Sequence, residues 1–354
     1  MAFASQPHDA VRRPGASLRP LAGSAAELVG LVDAWLAQPT EPEPLIVETS
    51  GSTGTPKRVV LSRRAVLASV AATTERLGAR GRWVLTLPPT YVAGLMVIAR
   101  SLVAGGPPVL LDEQPSLADA VAAAGEPAFL ALVPTQLLRL LESPAATAAL
   151  RCFHTALLGG GPLDPALRRR AEQAGVQVVA TYGSSETSGG CVYDGVPLDG
   201  VAVELDLDGR IRLGGPMLFD GYAGDPALTG AALVDGWFLT SDLGRWRDDG
   251  RLQVLGRVDD VVISGGVKVP TPAVAARIRE HPAVSAVEVL GVADPEWGER
   301  VVAFVVGEVS LEELRGVVAA ELPRSWAPRQ LVTLDALPLL ANGKTDRTAL
   351  RELA

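Results

Sequence analysis

The sequence is organised around Thr49-Ser50-Gly51-Ser52-Thr53-Gly54-Thr55-Pro56-Lys57, a stretch rich in glycine and hydroxyl side chains. Gly51 and Gly54 let the backbone turn and approach a ligand closely, because glycine has no Cβ atom. The Ser and Thr hydroxyls add hydrogen-bond donors, and Lys57 ends the stretch with a positive charge. Turned backbone amides, hydroxyls and a cation together complement a polyphosphate, so the stretch predicts a phosphate-binding loop.

An ordinary surface loop is the alternative interpretation, since Gly, Ser, Thr and Pro also cluster in turns. The flanking residues favour phosphate binding, because apolar Leu45-Ile46-Val47 precedes the loop and Arg58-Val59-Val60-Leu61 follows it. Both flanks have the composition of strands, which would hold the loop between them. A Walker-type P-loop is excluded at Gly343-Lys344-Thr345, because Pro338 stands where that motif requires glycine.

The composition is that of an acidic globular protein. Its 354 residues carry a formal net charge of −8, and 48% of them are hydrophobic. An acidic chain does not attract nucleic acid or an anionic membrane surface, so neither is an expected partner. The two cysteines form no Cys-x-x-Cys pair and there are only three histidines, which argues against a zinc site. Both cysteines, Cys152 and Cys191, are expected to be buried as small hydrophobes.

The sequence also predicts the compartment. Residues 1–20 lack the pattern of a signal peptide, and the apolar stretch 92–111 is interrupted by Arg100 and by Gly105-Gly106-Pro107-Pro108. Neither stretch is expected to insert into a membrane. We therefore expect a cytoplasmic protein, and the sequence leaves open whether it forms a homo-oligomer.

Two patterns divide the chain. Up to about Ala180 short apolar runs alternate with helical patterns, which predicts parallel βαβ units. After about Gly195, Asp-Gly turns at 208–209, 235–236 and 249–250 predict antiparallel hairpins, and a second unit begins near Val258. In that unit Ser310, with Glu313 three residues later, predicts the capping box of a helix. The predicted fold is α/β. A large N-terminal domain (1–257) contains the parallel sheets and a small barrel-like subdomain, and a small α+β C-terminal domain (258–354) follows.

Several separated stretches, taken in order, resemble the adenylate-forming superfamily of acyl-CoA synthetases, nonribosomal-peptide adenylation domains and luciferases. The opening stretch is similar to the family's Thr-Ser-Gly-Ser/Thr-Thr-Gly-x-Pro-Lys signature. Further stretches similar to family signatures are Gly159-Gly160-Gly161-Pro162-Leu163, Tyr182-Gly183-Ser184-Ser185-Glu186, Trp237-Phe238-Leu239-Thr240-Ser241-Asp242, Gly256-Arg257-Val258-Asp259-Asp260 and Pro338 to Arg347. The resemblance covers about residues 45–354.

The resemblance implies an enzyme that joins a carboxylic acid to AMP and then to coenzyme A, with ATP and Mg²⁺ required. It implies that the opening loop, with Thr49 and Lys57 at its ends, holds the β- and γ-phosphates. Glu186 is implied to bind Mg²⁺ as a catalytic residue beside Ser185, and Lys344 to contact the α-phosphate and the attacking carboxylate. The remaining implied nucleotide contacts are Gly159, Gly160, Gly161, Tyr182 and Gly183 around adenine, and Asp242 and Arg257 at the ribose.

The family's second step follows a rotation of the C-terminal domain. Asp259 matches the hinge position, so the resemblance implies that residues 258–354 are mobile. Rotation would withdraw Lys344 once the adenylate has formed and let coenzyme A reach it.

The substrate is expected to be a compact acid, because the part of the chain before the phosphate loop is shorter than in typical relatives. The stretch 87–95 resembles the Leu-Pro-x-x-His-x-x-Gly-Leu stretch of the o-succinylbenzoate–CoA ligases of menaquinone biosynthesis, with Tyr91 at the His position and Gly94 retained. Tyr91 either lines an aromatic acid's pocket or belongs to the core. An α-amino acid is disfavoured, because no Asp occurs between Leu85 and Leu111 to hold its amine.

The sequence leaves alternatives open. Ser185 replaces the family's Thr, Ser241 replaces Gly, and Ile263 stands where many relatives carry Lys. The enzyme could use another aryl or small acid, or load a carrier protein. A catalytically silent nucleotide-binding homologue is the alternative from a different class, and the presence of Lys344 argues against it.

Overall fold

The computed structural model describes residues 16–49, 56–339 and 345–354. It begins with β1 (Ser17–Leu18), β2 (Leu21–Ala22), α1 (Ala25–Leu36), β3 (Leu45–Thr49), β4 (Lys57–Leu61) and α2 (Arg63–Leu77). Ser24 and Glu27 form a reciprocal capping box that starts α1. Strands β3 and β4 pair antiparallel from Leu45 opposite Leu61 to Thr49 opposite Lys57. Extended segments therefore flank the predicted phosphate loop, whose residues 50–55 lie outside the described part.

A predominantly parallel sheet forms the next layer. Its elements are β5 (Arg82–Leu85), α3 (Val92–Val103), β6 (Val109–Leu110), α4 (Leu117–Ala124), β7 (Ala128–Leu132), α5 (Pro134–Glu142), α6 (Pro144–Leu150), β8 (Thr155–Leu158), α7 (Pro165–Gln173), β9 (Val178–Ser184), β10 (Gly189–Tyr193) and β11 (Val196–Pro197). The strand order is β11-β10-β9-β8-β7-β5-β6, with parallel pairing from β9 to β6. This confirms the predicted βαβ units. Helix α6 was not expected, because its alanine-rich sequence carries no apolar periodicity.

Antiparallel strands follow, as the Asp-Gly turns predicted. They are β12 (Ala202–Leu205), β13 (Arg210–Gly214), β14 (Gly221–Tyr222), β15 (Leu233–Val234), β16 (Trp237–Trp246) and β17 (Leu252–Arg257), with helix α8 (Pro226–Ala232) between β14 and β15. Strand β16 pairs with β13, β15 and β17 in one sheet. Strand β14 instead joins β4, so that Tyr222 lies opposite Val59. This pairing connects the antiparallel region to the strands around the phosphate loop.

The C-terminal part forms its own sheet. It contains β18 (Val261–Ser264), β19 (Val267–Pro270), α9 (Thr271–Arg279), β20 (Val284–Asp294), β21 (Gly298–Gly307), α10 (Leu311–Ala319), β22 (Gln330–Thr333) and α11 (Arg347–Glu352). Ser310 and Glu313 form the predicted capping box of α10. Two apolar clusters, one around Val269 and Ile278 and one around Phe304, give this sheet a core of its own. The α/β architecture is thus as predicted, and the boundary between residues 257 and 258 stays a prediction.

The two cysteines differ in environment. Cys191 is buried as expected, and burial raises the pKa of its thiol to about 12. The prediction for Cys152 was wrong, because it lies exposed just after α6, a helix that the sequence did not reveal. Within the described ranges, no helix is long and apolar enough to cross a membrane.

Candidate active site

Two neighbouring cavities bring together residues from distant parts of the chain. The smaller, of about 270 Å³, is lined among others by Lys57, Glu186, Tyr222, Asp242 and Arg257. The larger, of about 760 Å³, shares Tyr182, Gly183, Asp242 and Arg257 with it and extends to α7, α9 and β20. The sequence motifs thus meet around one continuous region, although they lie up to 200 positions apart in the sequence.

The base of the phosphate loop borders the smaller cavity. Thr49 and Lys57 are the last paired residues of β3 and β4, so the two ends of the loop are held opposite each other. The ammonium group of Lys57 lies 5.5 Å from the centroid of the Tyr222 ring, within the range of a cation–π interaction. Ser50, Gly51, Ser52, Thr53 and Gly54 lie outside the described residues, so their predicted phosphate contacts stay a prediction.

Glu186 is held in a short 3₁₀ turn, Ser185–Thr187, between β9 and β10. Its side chain lines the smaller cavity although the residue is only 9% exposed. The Tyr222 hydroxyl donates to Glu186 Oε1 at 2.9 Å, and the Phe219 N–H donates to the Glu186 carbonyl at 2.9 Å. Burial, together with the Glu186 charge, raises the pKa of Tyr222 far above its usual value, so this hydroxyl remains a donor.

Close backbone packing defines the same turn. A Cβ atom at Gly183 would lie 2.2 Å from the Gly189 carbonyl oxygen, so only glycine fits at this position. The Thr187 hydroxyl accepts from the Ser184 N–H at 2.9 Å and donates to the Gly189 carbonyl at 2.7 Å. Ser185 is buried in this turn and does not line either cavity. The observed environment of Ser185 therefore supports a role in shaping the turn, and its predicted catalytic role stays untested.

Tyr182 and Asp242 form the link between the two cavities. The Tyr182 hydroxyl donates to Asp242 Oδ2 at 2.8 Å, and Asp242 lies opposite Arg257 in the pairing of β16 with β17. Burial, together with the Asp242 charge, raises the pKa of Tyr182 well above its usual range. The Thr240 hydroxyl accepts from the Asp242 N–H at 3.1 Å. A carboxylate fixed beside an arginine suits hydrogen bonding to the hydroxyls of a ribose.

The glycine turn after β8 borders the larger cavity. Gly160 and Gly161 line it, and Gly160 has φ +76°, a conformation that favours glycine. Gly159 does not line either cavity. A Cβ atom there would lie 2.9 Å from Thr181 Oγ1, so this glycine lets β8 and β9 approach each other.

Neither Tyr91 nor Gly94 lines the two cavities, and their predicted contacts with the substrate stay a prediction. Tyr91 is 51% exposed at the start of α3, so its alternative interpretation as a core residue was wrong. It immediately precedes the helix, whose buried residues run from Gly94 to Ser101. A Cβ atom at Gly94 would lie 2.3 Å from the Pro88 carbonyl oxygen. Gly94 is therefore required for packing of α3 against the loop before it.

Arg100 is a candidate functional residue that the sequence reasoning missed. It lies in α3 and is only 7% exposed, with its guanidinium carbon 5.2 Å from the centroid of the Trp83 ring. Among the described residues, its Nε atom has no hydrogen-bond partner and no salt bridge includes Arg100. A signal for it is present in the sequence, because Arg100 interrupts the apolar stretch 92–111.

Arg100 lines neither cavity, but it lies next to the strand that follows the Glu186 turn. A Cβ atom at Gly189 would lie 3.9 Å from an Nη atom of Arg100, so the guanidinium adjoins the first residue of β10. The same strand follows the turn that carries Glu186. A buried and unpaired arginine is costly, and an anionic ligand would compensate it.

The predicted hinge and the predicted catalytic lysine lie in the C-terminal part. Asp259 is exposed in the 3₁₀ turn Val258–Asp260, and its carboxylate is 3.9 Å from the Arg257 guanidinium. Lys344 lies outside the described residues, between Leu339 and Thr345, which form a β-bridge. Arg347 bonds Asp260 at 2.9 Å and Glu288 at 2.8 Å, which ties this segment to the predicted hinge. The roles of Asp259 and Lys344 stay predictions.

A magnesium ion fits the donor set of the smaller cavity only in part. No group of three or more His, Cys, Asp or Glu that could hold a metal ion occurs among the residues described. Glu186 supplies a carboxylate, a hard oxygen ligand, in a cavity that also contains Lys57. Mg²⁺ is commonly held by one or two carboxylates together with substrate phosphates, so the site fits an ion that arrives with ATP.

The chain belongs to the AMP-binding enzymes. That family matches residues 35–222, and the C-terminal domain of AMP-binding enzymes matches residues 273–344. The stretches between β3 and β14, including the phosphate-loop strands and Glu186, therefore lie within the first match. The predicted membership of the adenylate-forming superfamily is confirmed.

Two curated relatives have related names. The "Probable 2-succinylbenzoate--CoA ligase" of Mycobacterium tuberculosis is 44% identical over 319 residues, which cover 86% of this chain and 83% of the relative. The "2-succinylbenzoate--CoA ligase" of Listeria monocytogenes is 31% identical over 361 residues, covering 96% of this chain and 75% of the relative.

Solved structures agree with the fold. The o-succinylbenzoate CoA synthetase MenE of Bacillus subtilis, in complex with the acyl-adenylate intermediate OSB-AMP, has a TM-score of 0.69 at 29% identity. The alignment covers 86% of this chain and 68% of that structure. Apo MatB from Rhodopseudomonas palustris has a TM-score of 0.74 at 25% identity, covering 87% and 67% of the two chains.

Proposed function

We propose that this protein is an ATP-dependent, AMP-forming acid–CoA ligase that converts o-succinylbenzoate to o-succinylbenzoyl-CoA. The family supports adenylation chemistry, and the names of the M. tuberculosis and L. monocytogenes relatives support this acid. The observation that carries the substrate class is Arg100, a buried guanidinium without an anionic partner among the described residues. An acid with a second carboxylate would supply that partner.

The first step makes the acyl-adenylate. An oxygen of the acid's carboxylate attacks the α-phosphorus of ATP, the new C–O–P linkage forms, and the bond to pyrophosphate breaks. Lys57 and its loop would hold the leaving pyrophosphate, while Lys344 would stabilise charge at the α-phosphate and the attacking carboxylate. Glu186 would hold Mg²⁺, whose chemistry is to neutralise charge on the phosphate oxygens.

The nucleoside half of the adenylate would occupy the region where the two cavities meet. Tyr182 offers a ring face for adenine, and the Asp242 carboxylate accepts hydrogen bonds from ribose hydroxyls. The observed bond from the Tyr182 hydroxyl to Asp242 fixes both groups before the nucleotide binds. Gly160 and Gly161 would let the backbone approach the base.

The second step makes the thioester. The sulfur of coenzyme A attacks the acyl carbon, a C–S bond forms, and AMP leaves. We propose that residues 258–354 move as a domain about Asp259 between the two steps, which need different surroundings. ATP and coenzyme A are supplied in the cytoplasm, so we place the reaction there.

The deciding experiment measures pyrophosphate release by the purified chain with a panel of carboxylic acids, with and without coenzyme A. We expect the highest kcat/KM for o-succinylbenzoate, and thioester only when coenzyme A is present. Preference for an acid with a single carboxylate would overturn the assignment of the substrate. If no acid releases pyrophosphate, the silent nucleotide-binding alternative is supported.

A further inference from the structure

We propose that Tyr222 is a positioning residue that fixes the Glu186 carboxylate relative to the Lys57 ammonium in the phosphate-binding site. This inference rests on the proposed function, since it assigns Glu186 and Lys57 to the phosphates and the metal ion of ATP. Tyr222 lies outside the motifs on which the sequence analysis based its site residues.

Tyr222 contacts both groups with different parts of its side chain. Its hydroxyl donates to Glu186 Oε1 at 2.9 Å, and its ring centroid lies 5.5 Å from the Lys57 ammonium nitrogen. All three residues line the smaller cavity. The tyrosine therefore contacts both a carboxylate and a cation that no hydrogen bond or salt bridge joins directly among the described residues.

The backbone around Tyr222 makes the same connection. Strand β14 pairs with β4, and the Ala223 N–H donates to the carbonyl of Arg58, next to Lys57, at 2.8 Å. On the other side, the Phe219 N–H donates to the Glu186 carbonyl at 2.9 Å. Residues 219–223 thus bridge the strand that leaves the phosphate loop and the turn that carries Glu186.

Contacts with α8 and between aromatic rings hold residues 219–223 in place. The Tyr222 N–H donates to the Thr229 hydroxyl at 2.8 Å, and Thr229 belongs to α8. The Phe219 ring meets the Tyr222 ring edge to face, with centroids 4.9 Å apart. These contacts restrict the ring and its hydroxyl to one orientation, which is what a positioning role requires.

The hydrogen bond from Tyr222 occupies one oxygen of Glu186 and leaves the other carboxylate oxygen without an assigned hydrogen bond in the described part of the chain. That oxygen is the available ligand for Mg²⁺. Without the tyrosine hydroxyl, the Glu186 carboxylate would be free to rotate and would no longer be oriented toward the metal ion. The nucleoside contacts around Asp242 would remain.

The test compares Tyr222→Phe with Tyr193→Phe, a matched control. The Tyr193 hydroxyl is also buried and hydrogen-bonded, to Thr73 Oγ1 at 3.0 Å, but it does not line the cavities. Calorimetry would measure ATP binding with Mg²⁺ and with EDTA, and pyrophosphate release would give the half-saturating Mg²⁺ concentration.

We expect Tyr222→Phe to weaken ATP binding with Mg²⁺ by about tenfold or more, as for loss of a hydrogen bond to a charged group. ATP binding in EDTA and thioester formation from preformed acyl-adenylate do not depend on the hydrogen bond that is lost. Both should therefore change by less than about twofold, as for a substitution away from the groups involved. Tyr193→Phe should leave all these values unchanged. Equal loss with Mg²⁺ and with EDTA, or an unchanged Mg²⁺ requirement, would overturn the inference.

A double-mutant cycle distinguishes the positioning role of Tyr222 from a folding defect. If Tyr222 acts through Glu186, Tyr222→Phe should have no further effect on Mg²⁺-dependent ATP binding in a Glu186→Gln background. An effect that persists in that background would contradict the positioning role. If wild-type protein releases no pyrophosphate with any acid, the proposed function fails, whereas the Mg²⁺-dependent binding comparison still decides the role of Tyr222.

Discussion

Replacing Arg100 by methionine tests whether the buried guanidinium binds a substrate carboxylate. Methionine replaces the unbranched apolar stem of the side chain and removes the charge, and Arg100 is only 7% exposed, with an Nε atom that has no partner among the described residues. Because replacing an uncompensated buried charge by an apolar side chain is often neutral or stabilising, the thermal midpoint should stay the same or rise. If Arg100 served only to stabilise the fold, the substitution would lower the thermal midpoint.

The expected loss of activity follows from the same geometry. Removing one partner of a buried, hydrogen-bonded charge pair costs about 2–5 kcal/mol, which corresponds to about 30-fold to 5,000-fold in kcat/KM. The loss of kcat/KM should not reach the upper end of this range. The Trp83 ring already stabilises the guanidinium of the free enzyme by cation–π attraction, so the charge depends less on the substrate. We therefore expect a loss of about 100-fold for o-succinylbenzoate.

The assay is pyrophosphate release with o-succinylbenzoate and with an analogue that lacks its second carboxylate. Arg100→Met should lose activity toward the first acid and little toward the second, so that the preference between them collapses. Arg139→Met, a substitution of an exposed arginine on α5, serves as the control. An equal loss toward both acids, or a lowered thermal midpoint that accounts for the lost activity, would refute the reasoning.

Three further outcomes are expected. Lys344→Ala should abolish acid-dependent pyrophosphate release and leave thioester formation from preformed acyl-adenylate largely intact; comparable loss of both half-reactions in a folded variant would contradict domain rotation. The pKa of Tyr182 is raised in the folded protein above the usual tyrosine value of about 10. Above about pH 10 the unfolded state therefore binds fewer protons at Tyr182 than the folded state does, and the free energy of unfolding should fall as pH rises. Denaturant unfolding at pH 8 to 11 checks this, and Tyr182→Phe should show a smaller decline. Gly94→Ala should destabilise the fold by about 1–3 kcal/mol, because its Cβ atom would meet the Pro88 carbonyl, whereas Gly230→Ala in α8 has open space and should be neutral or stabilising in the same thermal assay.

The predicted secondary structure was mostly confirmed where the signal is local. Ser310 and Glu313 indicated the start of α10 because a capping box needs only residues three positions apart. The Asp-Gly pairs located the hairpins for the same reason, since a tight turn is decided by its own residues. Helix α6 was missed, because its Ala-rich sequence offers neither an apolar stripe nor alternation, and with it the exposed position of Cys152.

The contacts within the site join segments that are far apart in the sequence, so they could not be predicted from local patterns. Tyr182 and Asp242 are sixty positions apart in the sequence, and their hydrogen bond depends on how β9 meets β16. Tyr222 carried no signal at all, because its importance comes from a strand pairing that places it between Lys57 and Glu186. Tyr91 matched a relative's motif position and yet lies half exposed at the start of α3.

The amino-acid sequence alone was sufficient to predict most of the strands and helices in order, the loop between two strands that ends at Lys57, and the family to which the chain belongs. These depend on residue type and short spacing, which the linear chain displays directly. The packing of distant segments determines which side chains share a cavity, that Glu186 receives its hydrogen bond from Tyr222, and that Arg100 is buried without a described partner. Burial and pairing are properties of packing between distant segments, and the cost of an unpaired charge arises only once water has been excluded from it.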